Sequence, residues 1–145
     1  RERFAGTRMI ARREGVKAIV RALRDGQALQ LSPDMDLGRK DAVFTPYFGV
    51  PTATVTVLPR MARLLKLHIV PLVVRQLPWG RGYVARFYPA WEDYPGPSVE
   101  QDTRRMNAFL EARIREMPEQ YLWTHRRFKT RPPGELSLYA DQRPK

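Results

Sequence analysis

Two aspartates set two positions apart, Asp34 and Asp36 in the stretch SPDMDLG, are the first candidates for chemistry in this chain. On one loop they bring two carboxylates to a single place, where they would pair with an arginine or orient a hydroxyl group. The same spacing serves equally well as turn-forming aspartates bonded to their own backbone, and both readings stand. The two histidines are too few for most metal sites and lie in unrelated contexts. His68 opens an apolar run, where a satisfied core or edge histidine is the ordinary occupant, and His125 sits in a basic run, as a ligand or as packing. No metal and no cofactor is expected. G-x-G-x-x-G, P-loop and G-x-S-x-G spacings are all missing. With no cysteine in the chain, a disulfide scaffold and thiolate catalysis are excluded.

The run PEQYLWTHRRFKTRPPGE, residues 118–135, crowds indole, phenol, imidazole and guanidinium groups behind a helix-ending proline. From Tyr121 through Arg131 it holds four Arg or Lys and no acid. Trp and Tyr bodies suit an apolar layer while cationic heads reach anionic groups, so phosphate-bearing lipid is the first partner class. A noncatalytic basic module binding nucleic acid is the second. The net charge of +11 agrees with an anionic partner, since arginine grips phosphate and carboxylate through two parallel bonds. Basic charge alone, however, reports solubility and nonspecific attraction.

Several elements must position these groups. Residues 14–25 place Val16, Ile19, Val20 and Leu23 on one helical face, with Gly26 as the left-handed residue that ends the helix. Residues 27–31 alternate like a short strand leading into the aspartate loop. The aromatic stretch 43–50 reads as an irregular loop interrupted by Pro46. Residues 52–67 read as a helix whose best part follows Pro59. Residues 68–74 are a continuous apolar run of strand length, expected to be covered on both faces with a bulge or unpaired edge at Pro71, and residues 83–88 are its hairpin partner. Ser98 and Gln101 form a capping box for the clearest helix, with Val99, Met106, Leu110, Ile114 and Met117 as its apolar stripe. Pro118 stops it. The longest apolar run falls far short of the roughly 20 residues that span a bilayer, so membrane contact through these residues is expected to be peripheral. At 145 residues the chain fits one domain or part of one. It opens without Met inside a charged stretch, which reads as a segment of a longer protein.

SPDMDLGRKDAVFTPYFGVPTAT, then HIVPLVV, then MNAFLEARIREMPEQYLWTHRRFKTRP follow one another in this chain. In this order and at these separations they resemble the lipid A biosynthesis acyltransferases. Those are the late lauroyl- or myristoyl-transferring enzymes of the Kdo-lipid A pathway, within the lysophospholipid acyltransferase superfamily. The resemblance implies an α/β fold, a mixed sheet flanked by helices, as a partial acyltransferase domain. Residues 1–133 would be its C-terminal half and 134–145 a polar tail. The implied activity moves a fatty acyl group from acyl carrier protein to a hydroxyl of an anionic glycolipid acceptor. The implied place is a membrane surface, the cytoplasmic face of the bacterial inner membrane. A related acyltransferase acting on another glycolipid fits the same motifs.

In that family a histidine separated by four residues from an Asp or Glu is the general base. Here His68 is followed at that distance by Val73 and His125 by Thr130, so the base is not in this chain, and the segment alone should be inactive. The resemblance carries over Arg3 and Asp34 as supporting residues, expected to pair across the pocket floor, with Arg3 also available to a phosphate or a developing oxyanion. Asp36 and Arg39 are second choices. Phe44 and Phe48 would wall the acyl chain or simply pack the loop. Arg126, Arg127 and Lys129 are docking and packing residues beside Trp123.

Overall fold

A computed structural model describes residues 7–10 and 14–139. The chain divides into two compact units, Arg1–Leu31 and Ser32–Lys145. In the first, helix α1 spans Gly15–Arg24 and buries no side chain. Its end follows the expected logic: Gly26 takes φ 78°, its N–H bonds Leu23 O, and Gln27 N–H reaches back to Ala22 O. That pair of bonds satisfies carbonyls the last turn leaves open. The strand expected over residues 27–31 carries no regular structure, because a strand of this length needs a ladder partner and finds none among the described residues.

The second unit opens on the aspartate loop and continues into a hairpin of β1 (Ala42–Tyr47) and β2 (Val50–Val55). This overturns both the irregular loop expected over 43–50 and the helical start expected at Thr52. Phe48 and Gly49, at φ 50° and 78°, make the two-residue connection whose twist matches the strands. Pro46 pairs with Pro51. Beside such a turn, Tyr47 and Val50 are the hydrogen-bonded pair, so 46/51 and 44/53 are non-hydrogen-bonded pairs whose backbone N and C=O point outward. The prolines therefore cost the ladder nothing.

Helix α2 spans Val57–Leu65, with Pro59 at its third position, where the missing N–H has no intrahelical partner anyway. Strands β3 (Leu72–Gln76) and β4 (Tyr83–Phe87) form a second antiparallel hairpin. The partnership was legible, but the double coverage was not: β3 is mostly exposed, and buried Pro71 lies just before it. With β4 as its one ladder neighbour among the described residues, no layer covers either face. The described strands thus form two separate two-stranded antiparallel sheets rather than one mixed sheet. Both hairpin partners are joined by short turns, which favour local antiparallel pairing.

Helix α3 spans Val99–Glu116 and packs on β1 and α2. Ser98 Oγ accepts from Gln101 N at 3.1 Å, as the capping box requires. Its inward face is more polar than the expected stripe: Met106 and Ile114 are buried, but so are Asp102, Thr103 and Asn107. The core around it combines Tyr47, Ala53, Met61 and Ala62 with Thr45, Thr52, Thr54 and Thr56. Thr103 Oγ1 donates to Val99 O one turn back in its own helix, and Asn107 Nδ2 donates to Pro46 O at 3.1 Å and Thr54 Oγ1 at 3.2 Å, while Asn107 Oδ1 is buried without a partner among the described residues.

Candidate functional site

The tail beyond α3 runs along the outer edge of β2. Arg127 Nη1 donates to Ala53 O at 2.7 Å and its Nη2 to Thr54 Oγ1 at 2.8 Å, while Arg131 Nη1 donates to Pro51 O at 2.7 Å. Pro51 and Ala53 carry the outward carbonyls of β2, so two arginines four positions apart close an edge that would otherwise be open. On the opposite edge Asn107 takes Pro46 O. Arg127 is buried, and its guanidinium lies 4.9 Å from the Tyr47 ring centre. Burial pulls its pKa down, opposed by the nearby Tyr47, Tyr121, Asp36 and Asp34.

The same tail grips the aspartate loop. Asp36 is buried; its Oδ1 accepts from Gly38 N and Thr130 Oγ1, and its Oδ2 from Thr130 N, each at 2.9 Å. His125 Nε2 accepts from Asp36 N at a long 3.5 Å, and Arg39 Nη2 donates to Arg131 O at 3.1 Å. Thus Asp36, His125, Thr130, Arg39 and Arg131 form one clasp between segments about ninety positions apart.

Asp34, two positions earlier, is half-buried and faces a different neighbourhood. Tyr47 Oη donates to Tyr121 Oη at 3.4 Å, and Asp34 stands close enough to both phenols to raise their pKa. Burial is the leading cause of both shifts, raising both hydroxyls above the ordinary phenol value, Tyr47 well above it. They remain protonated throughout the physiological range and can act as donors. Asp34 is thus a half-buried carboxylate in the neighbourhood of Tyr121, Tyr47 and Arg127, suited to accept a hydrogen bond from a hydroxyl or to pair with a guanidinium.

The remaining sequence-predicted residues are spread more widely. Phe44 is exposed on β1. Phe48 packs edge-on against Tyr47 at 5.0 Å, near Trp123 and under the Arg115 guanidinium. Arg126 and Lys129 are exposed, Arg126 over the Tyr139 ring. Arg3 lies outside the described residues, so its pairing with Asp34 is not seen. His68 is exposed and lines a cleft of about 300 Å³ with Arg63, Lys66 and Tyr94. Among the described residues no group of three His, Asp or Glu could hold a metal ion. Sequence reasoning missed Tyr47, Tyr121 and Thr130 as partners of the aspartate loop. Tyr121 stood in the tail run, but nothing in its surroundings announced a contact so far upstream.

The family described as bacterial lipid A biosynthesis acyltransferase matches residues 1–130 of this chain. A lipid A biosynthesis palmitoleoyltransferase of Escherichia coli K12 is 39% identical over 143 residues, covering 96% of this chain and 45% of that protein. A lauroyltransferase of the same organism is 37% identical, covering 94% and 45%, and a myristoyltransferase 30% identical, covering 96% and 43%. The chain thus spans somewhat less than half the length of these relatives.

Proposed function

This chain belongs to the bacterial lipid A biosynthesis acyltransferase family, and from that premise we propose that it is part of an enzyme that acylates a lipid A precursor. The donor is a fatty acyl group on acyl carrier protein and the acceptor a hydroxyl of the anionic glycolipid. Residues 1–133 are the C-terminal half of the acyltransferase domain, and its working place is the cytoplasmic face of the inner membrane. Among the described residues no helix is long and apolar enough to cross a membrane.

In the reaction the acceptor hydroxyl loses its proton, its oxygen attacks the donor's acyl carbon, and the acyl–sulfur bond breaks. The proton goes to a general base. Neither His68 nor His125 has an acid five positions on, so that role falls to a histidine outside these 145 residues, and the segment by itself is inactive. Asp34 and Arg3 support the site, with Tyr121 near the Asp34 carboxylate. Arg39, Arg126 and Lys129 face the anionic acceptor.

The observation that carries this reading is the half-buried Asp34 near the Tyr47–Tyr121 hydroxyl pair, in a loop within the family match. The nucleic-acid reading loses its main support, because Arg127 and Arg131 of the tail are taken up by the edge of β2. The test uses the complete enzyme with acyl carrier protein donor and a tetra- or penta-acylated precursor class as acceptor, scored by product mass. Wild-type protein should add one acyl group and the Asp34→Ala variant should lose most turnover. No product from the wild type overturns the function; undiminished turnover in the variant removes Asp34 from the site.

A further inference from the structure

The β3–β4 hairpin presents an uncovered apolar face. In the register Leu72↔Phe87, Val74↔Ala85 and Gln76↔Tyr83 these alternate positions share one side of the ribbon, and Phe87 and Tyr83 are 68% and 70% exposed. At the tip, Trp79 is 94% exposed. It holds φ 59°, a conformation a bulky residue rarely adopts.

The tip is not loose. Leu77 N donates to Gly82 O at 2.8 Å, and both the backbone N–H and the side-chain Nε of Arg81 donate to Pro78 O at 3.3 Å. Below it the Gln120 side chain brackets Gln76, its Oε1 accepting from Gln76 N at 2.8 Å and its Nε2 donating to Gln76 O at 3.1 Å. This amide imitates a strand partner and blocks the β3 edge there, so Trp79 is held outward by a braced ribbon.

Charge specifies what the hairpin meets. Residues 42–91 contain six Arg or Lys and no acid; of that set Arg81 lies at the hairpin tip beside Trp79, and Arg75 and Arg86 stand on the side of the ribbon opposite Leu72, Val74 and Phe87, so that a tip-first approach brings Arg75 and Arg81 to the head groups together with the indole. A nucleic acid would match the arginines but offers no layer for Leu72, Val74 and Phe87. A bilayer interface offers both, head-group phosphates for the guanidinium groups and an amphipathic zone for the indole.

We propose that the β3–β4 hairpin is a membrane-interface anchor that seats Trp79 among the head groups of an anionic bilayer, with Arg75 and Arg81 on lipid phosphates. It rests on the membrane-facing placement proposed above and names the element responsible. The test is co-sedimentation with phosphatidylglycerol–phosphatidylcholine vesicles against phosphatidylcholine alone, using wild type, W79S and R75Q/R81Q, each checked for native circular dichroism. Anionic vesicles should bind the wild type, each arginine contributing about fivefold in partitioning, and W79S should weaken binding on both vesicle types. Brominated lipid should quench a fluorescence component that W79F removes and that W91F and W123F retain. Unchanged partitioning of W79S and R75Q/R81Q overturns the anchor. So does an unquenched Trp79 on bound protein, the result expected if another part of the polypeptide or a nucleic acid covers the hairpin. Partitioning is read without turnover, so a failure of acyl transfer and a failure of the anchor are distinguished.

Discussion

Asp34 and Asp36 stand two positions apart in environments that assign them opposite work. Asp36 has both carboxylate oxygens occupied by Gly38 and Thr130, and removing it leaves three donors unpaired. The Asp36→Ala variant should lose about 3 kcal/mol of stability by urea unfolding. Asp34 remains partly open, near Tyr121. In the complete enzyme, Tyr121→Phe should reduce kcat and also lower the unfolding midpoint, because the buried Tyr47 hydroxyl loses its acceptor, and its effect on kcat should not add to that of Asp34→Ala, because the two lie side by side. Full additivity in that double-mutant cycle would separate Tyr121 from Asp34. Spacing could only leave the two aspartates equivalent, since a two-residue interval says nothing of what lies ninety positions downstream.

The elements were legible where local rules decide them. The Schellman-type end of α1 at Gly26, the Ser98 cap of α3 and the β3–β4 pairing follow from short-range patterns. Hairpin β1–β2 was not, because Pro46 and Pro51 argue against strands until the register shows both facing outward from non-hydrogen-bonded positions. Its turn supplies a prediction: Gly49 takes φ 78° and a Cβ there would meet nothing within 4 Å. Gly49→Ala should therefore cost only the backbone penalty, about 1 kcal/mol, measured as a lowered thermal midpoint with unchanged circular dichroism. Arg127 tests the other edge. Arg127→Lys should destabilise despite keeping the charge, because an ammonium cannot reproduce the planar fork shared between Ala53 O and Thr54 Oγ1.

Across the molecule, buried polar contacts govern the response to pH. The ordinary phenol value is 10.0, and burial holds Tyr47 and Tyr121 above it. Below about pH 10 the folded and unfolded states keep the same phenol protons and this contribution is fully present. Above it the unfolded chain releases protons the folded one retains, so stability falls as pH rises. Urea midpoints should decline from about pH 10 upward, and Tyr47→Phe should flatten that decline. By itself the sequence determined the family, the absence of a His-x4-acid pair, the net charge of +11 and the segments ruled by local capping and periodicity. Only the tertiary structure decided that Arg127 and Arg131 close a strand edge, that Asp36 is a clasp, that Asp34 lies in the neighbourhood of two phenols and that Trp79 stands outward on a braced hairpin. Those outcomes depend on which buried donor meets which acceptor across long stretches of chain, and residue type and spacing do not encode such pairings.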